Sequence, residues 1–332
     1  MLTRYVFIIL AMPLALAILL VPDARAQFEA RDKRFYQRAM WNFALRDNIP
    51  ELDVEFNGVD FGHSHLYENL LLTGGQDVPA IDEEARRQTL RFIASKPVLP
   101  PNEEAIAPNY MKLAWRAQNT FEQAHLLHRA LYDIYASDKI IDKSAAIQEA
   151  LAYYQKSPYA ITAQPLDHRR LDSLPFSKAF RTKFPLFNAT IWAYHYLQSA
   201  VYDVMQLDPD RAAQRRGVQA VLVTYNGYLK KPPVQWTFMP LTAELSPRFA
   251  AQYPEIANIF DNLHMLHDNI SDILVSDLFT SWEAKRAEIY RILDSYYLAT
   301  ADAANPMVMK PGEKRHDMKD ADTEPSLSAH PH

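Results

Sequence analysis

Apolar residues recur along this chain at spacings of three and four, and the alternation of a half-buried strand is missing over any useful length. The pattern predicts an amphipathic helix over 28–48, a loop through Pro50, Asn57 and Gly58, and a short helix over 61–72 that Thr73-Gly74-Gly75 ends. Further helices are expected over 81–95, 108–138, 143–155 and 185–206, with a proline-rich connection at 96–101 and a polar stretch at 165–175. Asp208-Pro209 reads as an N-cap and first helical residue for a helix over 210–229. A proline-rich stretch over 230–247 precedes a helix over 254–276, and a capping box at Thr280-Ser281-Trp282-Glu283 opens the last one, ending near Thr300. The expectation is an all-α bundle of about eight helices, one domain over 27–304, followed by a disordered polar tail over 305–332.

Three of these helices carry the same polar pattern. They are Glu122-x-x-His125-x-x-His128-x-x-x-Tyr132-Asp133, Trp192-x-x-His195 followed by Tyr202-Asp203, and Asp261-x-x-His264-x-x-His267 followed by Asp272. At 100° per residue, the polar members of each segment fall in one sector about 140° wide. A histidine or carboxylate on a buried helical stripe costs several kcal/mol unless it is paired or bound to metal. Of the 11 histidines, seven lie in apolar helical segments: His63, His65, His125, His128, His195, His264 and His267. One such histidine alone is more often a hydrogen-bonded core residue than a ligand. The repetition shifts the weight, because pairs spaced i, i+3 on two helices put two imidazoles within reach of one ion. Glu122 and Asp261, one turn before a histidine, are candidate ligands. Asp133, Asp203 and Asp272 lie eight residues after one, so they suit equally the second N–H of an imidazole on a neighbouring helix, or a surface salt bridge or helix-to-helix hydrogen bond. Tyr132 and Tyr202 stand beside the candidate ligands, either as proton or electron relays or as core filler.

Composition narrows the chemistry. Cysteine is absent, which removes disulfides, thiolate metal sites, iron–sulfur clusters and covalent c-type haem. A net charge of −5 gives no footprint for nucleic acid, and no phosphate-binding loop, nucleophile elbow or zinc-protease helix is present. Only 7 glycines against 22 prolines favour helices joined by stiff loops. The first 26 residues read as an export signal: Arg4, an apolar run over 5–21, and Ala24-Arg25-Ala26 before cleavage. The mature chain is expected in the periplasm or secreted, with membrane attachment only if that segment stays uncleaved. The methionines and histidines of the tail (Met307, Met309, His316, Met318, His330, His332) could capture copper, although composition alone describes a plain tail.

Glu122-x-x-His125 and Asp261-x-x-His264 resemble the paired carboxylate-x-x-His motifs of ferritin-like di-iron carboxylate bundles. In that pattern Glu68, in His65-Leu66-Tyr67-Glu68, matches the carboxylate that precedes the first motif. His195 stands where the pattern has Glu, Asp261 replaces Glu, and His128 and His267 are additional. The helical spacing and the resemblance together point to a metal site of His65, Glu68, Glu122, His125, His128, His195, Asp261, His264 and His267, iron favoured and two ions admissible, with an oxidoreductase role. Copper, zinc or manganese are the alternatives. A b-type haem between paired histidines leaves Glu122 and Asp261 without a role. The competing functions are a periplasmic copper or zinc carrier, and a non-catalytic subunit of a cell-envelope complex. An envelope or redox partner protein is compatible with each.

Overall fold

The computed structural model describes residues 37–73, 78–97, 103–207, 210–235, 238–297 and 309. The expected signal segment and nearly all of the tail lie outside them. The fold is all-α, with 14 helices among the described residues and one isolated bridge between Ile161 and Tyr297. Eight helices have 13 residues or more: α2 (Pro50–Thr73), α3 (Val78–Ala94), α5 (Pro108–Ala136), α6 (Lys143–Gln155), α9 (Pro185–Met205), α10 (Arg211–Lys230), α13 (Pro254–Val275) and α14 (Trp282–Tyr296). Six are short: α1 (Ala44–Asn48), α4 (Glu103–Ile106), α7 (His168–Asp172), α8 (Ala179–Lys183), α11 (Thr242–Leu245) and α12 (Pro247–Gln252).

The short helices explain the architecture. Four times the chain runs through one turn or so of helix, one buried non-helical residue, and then a long helix. The junction residues are Ile49 (φ −140°, ψ 59°), Ala114 (φ −142°, ψ 54°), Phe184 (φ −128°, ψ 60°) and Tyr253 (φ −129°, ψ 62°). Ile49, Phe184 and Tyr253 each precede a proline, whose ring keeps them out of the right-handed helical region while it starts the next helix itself. Ala114 makes the same break inside α5 without a proline, dividing it into residues 108–113 and a long remainder. These are units one to four of a repeat.

Counting from each junction, residue 19 is Glu68, Asp133, Asp203 and Asp272. Each carboxylate accepts two backbone N–H groups at the start of another unit's short helix. Glu68 takes Asn109 and Tyr110 of unit two at 3.0 Å each, and Asp133 takes Phe43 (3.1 Å) and Leu45 (2.8 Å) of unit one. Asp203 takes Arg248 (3.2 Å) and Phe249 (2.8 Å) of unit four, and Asp272 takes Lys178 (3.1 Å) and Phe180 (2.8 Å) of unit three. The first N–H groups of a helix have no internal partner and favour negative charge, so these bonds stabilise both ends of the pairing. Phe43 and Lys178, at matching positions, both hold left-handed backbone (φ 70° and 73°). Units one and two thus cap each other, units three and four do the same, and the pairs correspond bond for bond. The long helices follow suit: α2, α3, α5 and α6 in one half match α9, α10, α13 and α14 in the other.

The structure corrects several boundaries. The expected loop through Pro50, Asn57 and Gly58 is the beginning of the 24-residue α2. Pro50 starts that helix. Gly58 serves close packing, since a Cβ there would stand 2.3 Å from Ile93 Cγ1, and Asn57 bonds to the Pro97 carbonyl and to Arg129. Of the helix expected over 28–48, the described part is helical only over Ala44–Asn48. The N-cap of α10 is Asp210, whose carboxylate accepts from Ala212 and Ala213, with 208 and 209 outside the described residues. Ser281 caps α14, which ends at Tyr296.

Candidate metal centre

The same register that places the caps also brings a ring of polar side chains to the middle of the bundle. Residue 11 of the four units is Asp60, His125, His195 and His264, and residue 14 is His63, His128, Gln198 and His267. Residues 11, 14 and 18 share a helix face, so all four long helices turn these groups toward one interior. None of the eight is more than 6% exposed. His63 is the hub: its ring stacks on His267 (centroids 4.2 Å), His125 (5.2 Å) and His195 (5.2 Å). His195 in turn stacks on His264 at 3.9 Å.

Each of three imidazoles is held by its Nδ1. His125 Nδ1 lies 3.2 Å from Glu103 and 3.6 Å from Asp60. His128 Nδ1 is 2.5 Å from the Tyr202 hydroxyl, and His267 Nδ1 is hydrogen-bonded to the Tyr67 hydroxyl. Glu103 comes from the short α4 and is itself fixed by Ser64 (3.0 Å) and Gln118 (2.5 Å). The Nε2 atoms of His125, His128 and His267 are buried without any hydrogen-bond partner, as are Nδ1 of His63 and His195. An unsatisfied buried polar atom costs about 1–3 kcal/mol, so five together demand an explanation. An outer group on Nδ1 and a bare Nε2 is how metal-ligating histidines are oriented.

Two donor groups are compact enough for one ion. Ligand atoms of His63, His125 and His267 lie within 4.8 Å of one another, and so do those of Asp60, Glu103 and His125. His63 Nε2 and His195 Nε2 are 3.2 Å apart. Two nitrogens on one tetrahedral ion at about 2.05 Å each stand roughly 3.3 Å apart, so this spacing suits coordination as well as a hydrogen bond.

Electrostatics keep most of this cluster neutral. Burial, reinforced by neighbouring imidazoles, holds His63, His128, His195 and His267 well below the ordinary histidine range, and burial pushes His264 down to about 3. Neutral imidazoles offer a lone pair to a metal without first losing a proton. His125 differs: burial lowers it, but the Asp60 and Glu103 carboxylates outweigh burial and raise it. Burial lifts Asp60 to about 7 despite His125.

Of the residues expected to bind metal, His125, His128, His195, His264 and His267 come together. The others do not join them. His65 is half-buried on the other side of α2, stacked on Phe61 at 5.3 Å and bonded to Asn69. Glu68, expected as a ligand, caps α5 instead, and Asp261 binds the backbone N–H (2.7 Å) and hydroxyl (2.8 Å) of Thr242 at the start of α11. Glu122 is half-buried one turn from His125 and raises that histidine's pKa. Asp133, Asp203 and Asp272, expected either as imidazole partners or in salt bridges or helix-to-helix hydrogen bonds, direct their carboxylates to backbone N–H groups of other helices. Tyr202 does meet an imidazole of a neighbouring unit. Tyr132 lies 3.4 Å from His128 and donates to the Gln198 carbonyl at 2.7 Å.

Asp60, Glu103 and Gln198 were not anticipated from sequence, and His63 was noted without a role as ligand. A signal for three of them was present: Asn57-x-x-Asp60-x-x-His63-x-x-x-Tyr67-Glu68 is a fourth copy of the motif, with Asp60 where the other copies carry histidine. Gln198 stands likewise in the third copy. Glu103 lies outside the repeat and has no such signal. No protein-family model matches the chain, and no curated protein or solved structure is significantly similar to it.

Proposed function

We propose that this chain is an exported metalloprotein that holds a transition-metal ion on His63, His125 and His267 and acts as a metal-dependent oxidoreductase. One observation carries the reading: His125 and His267 are each fixed at Nδ1 while Nε2 is buried and bare, beside His63, whose Nδ1 is bare too. A set dominated by imidazole suits copper or iron among the redox-active ions. Iron is the expectation from the di-iron carboxylate resemblance, and two carboxylates of that pattern, Glu68 and Asp261, are engaged at helix starts. Bound there, the ion would supply one-electron chemistry. The chain's own part is to orient the ligands and exclude water: Glu103 accepts the His125 Nδ1 proton, with the Asp60 carboxyl 3.6 Å away, and Tyr67 accepts that of His267. Burial keeps the Tyr67 hydroxyl neutral far above its usual range, so its oxygen meets the His267 Nδ1 as a phenol rather than a phenolate. The burial of every donor favours a retained ion over exchangeable cargo, which sets this reading ahead of a carrier.

The test is elemental analysis and a visible spectrum of the untagged chain purified from the cell envelope, beside His63→Ala/His125→Ala/His267→Ala. Stoichiometric copper or iron, lost in the variant, supports the proposal. Stripping the ion should then lower unfolding stability of the wild type by about 4 kcal/mol when free metal had stood at a thousand times Kd. Zinc alone would remove the redox role. A folded wild type that carries no stoichiometric metal would overturn the proposal and leave only a structural hydrogen-bond core.

A further inference from the structure

The two halves also correspond at the centre, except that Asp60 faces His195 and His63 faces Gln198 in the match, and that correspondence points to a second ion. Tyr110, Tyr67 and Phe121 of the first half form a stack with His267 of the second, with successive centroid distances of 4.6, 5.3 and 4.0 Å. Phe249, Tyr202 and Phe260 of the second half form the same stack with His128 of the first, at 4.0, 5.6 and 3.5 Å. Each member occupies the matching position of its unit. Each stack ends in a histidine whose Nδ1 meets the tyrosine of its own stack and whose Nε2 is bare.

Exchanging unit one with three and unit two with four therefore carries His267 onto His128, His125 onto His264, and His63 onto Gln198. The triad His63, His125 and His267 has an image: His128, His264 and Gln198. We propose that this image is a second metal position, with Nε2 of His128, an imidazole nitrogen of His264 and the side-chain amide oxygen of Gln198 as its donors, so that the core holds two ions. The inference rests on the proposed site existing, and deepens it from one ion to a pair.

Three observations point to a ligand at the image position. Gln198 is 1% exposed, and neither its amide oxygen nor its amide nitrogen has a partner. An amide buried with both ends bare costs more than an apolar side chain of its size, and an oxygen donor to a cation removes part of that cost. His128 is fully buried with Nε2 bare while Tyr202 fixes its other nitrogen. His264 is buried, in parallel planes with both His195 and His128, and the group that offsets its burial is the Pro240 carbonyl rather than a carboxylate. The substitution of glutamine for histidine at one of three donors makes the image the weaker of the two positions, since a neutral amide oxygen is a poorer donor to copper or iron than imidazole.

The experiment is a Co(II) titration of the chelated full-length chain, followed by the d–d absorption and by elemental analysis after desalting. The wild type should bind two equivalents, the second more weakly. His128→Ala/His264→Ala should keep one, and His63→Ala/His267→Ala should keep the other. Gln198→His, which gives the third unit the imidazole the first unit carries, should tighten the second equivalent and leaves the fold testable if a double alanine variant does not fold. One equivalent in the wild type, unchanged in His128→Ala/His264→Ala, overturns the second ion and leaves the first standing. An unchanged second affinity in Gln198→His overturns the image assignment. No bound cobalt in the wild type overturns both this inference and the proposed function.

Discussion

At residue 19 of the four units, every carboxylate has two backbone N–H donors. At residue 14, about 7.5 Å earlier along the same helices, imidazoles and an amide are buried with nitrogens and an oxygen left bare. Both levels put polar groups into an apolar bundle, and both recur in all four units. The difference is that the chain supplies the partners for one level and withholds them from the other. Buried polarity that is closed on itself organises a fold. Buried polarity left open, on oriented side chains, is what a bound ion would complete.

The sharpest way to break this comparison is to remove a cap. Asp133→Ala and Asp272→Ala each free two N–H groups at a helix start and should cost about 2–3 kcal/mol in denaturant unfolding, with metal content unchanged. Loss of metal at unaltered stability would move those aspartates into the centre. A second test uses pH, because the two levels should tilt stability in opposite directions. Burial raises Asp272 to about 7 and Asp133 to about 6, while the buried imidazoles lie below their usual range. An acid raised on folding stabilises below its unfolded pKa and loses that contribution as pH rises through the folded value. Wild type should therefore lose ground to Asp272→Asn as pH climbs from 4 to 7. A histidine lowered on folding keeps its contribution above its unfolded pKa and loses it as pH falls. Chelated wild type should thus lose ground to His128→Phe below pH 6.5. Neither slope should exceed about 1.4 kcal/mol per pH unit for one group. Slopes of the same sign would erase the distinction between the levels. The smallest effect belongs to His65→Ala, on the outer side of α2: under about 1 kcal/mol, with no change in metal.

The long helices and the all-α class were legible because amphipathic period and sparse glycine act locally. Five of the six histidines that meet were legible too, while the sequence pattern offers His65 as a ligand and leaves His63 without that role. The partners were not legible, because a period gives the face of a helix and never the face it meets. Asp133 two turns past a histidine is as well placed for an imidazole as for another helix's first turn, and only packing selects the second. The duplication was hidden by three departures: Asp60 and Gln198 replace histidines, Ala114 breaks α5 without a proline, and Pro50 with Gly58 imitates a loop. Pro50 stops a helix only when it falls inside one. At the first position it begins one.

The reciprocal capping also sets the grain along which the molecule can come apart. Glu68 and Asp133 tie the first two units only to each other, and Asp203 and Asp272 tie only the last two. Each half keeps its own capping bonds without the other, while the cluster of His63, His195 and His267 draws on both halves. An ion bound on those histidines would be the stitch that joins them.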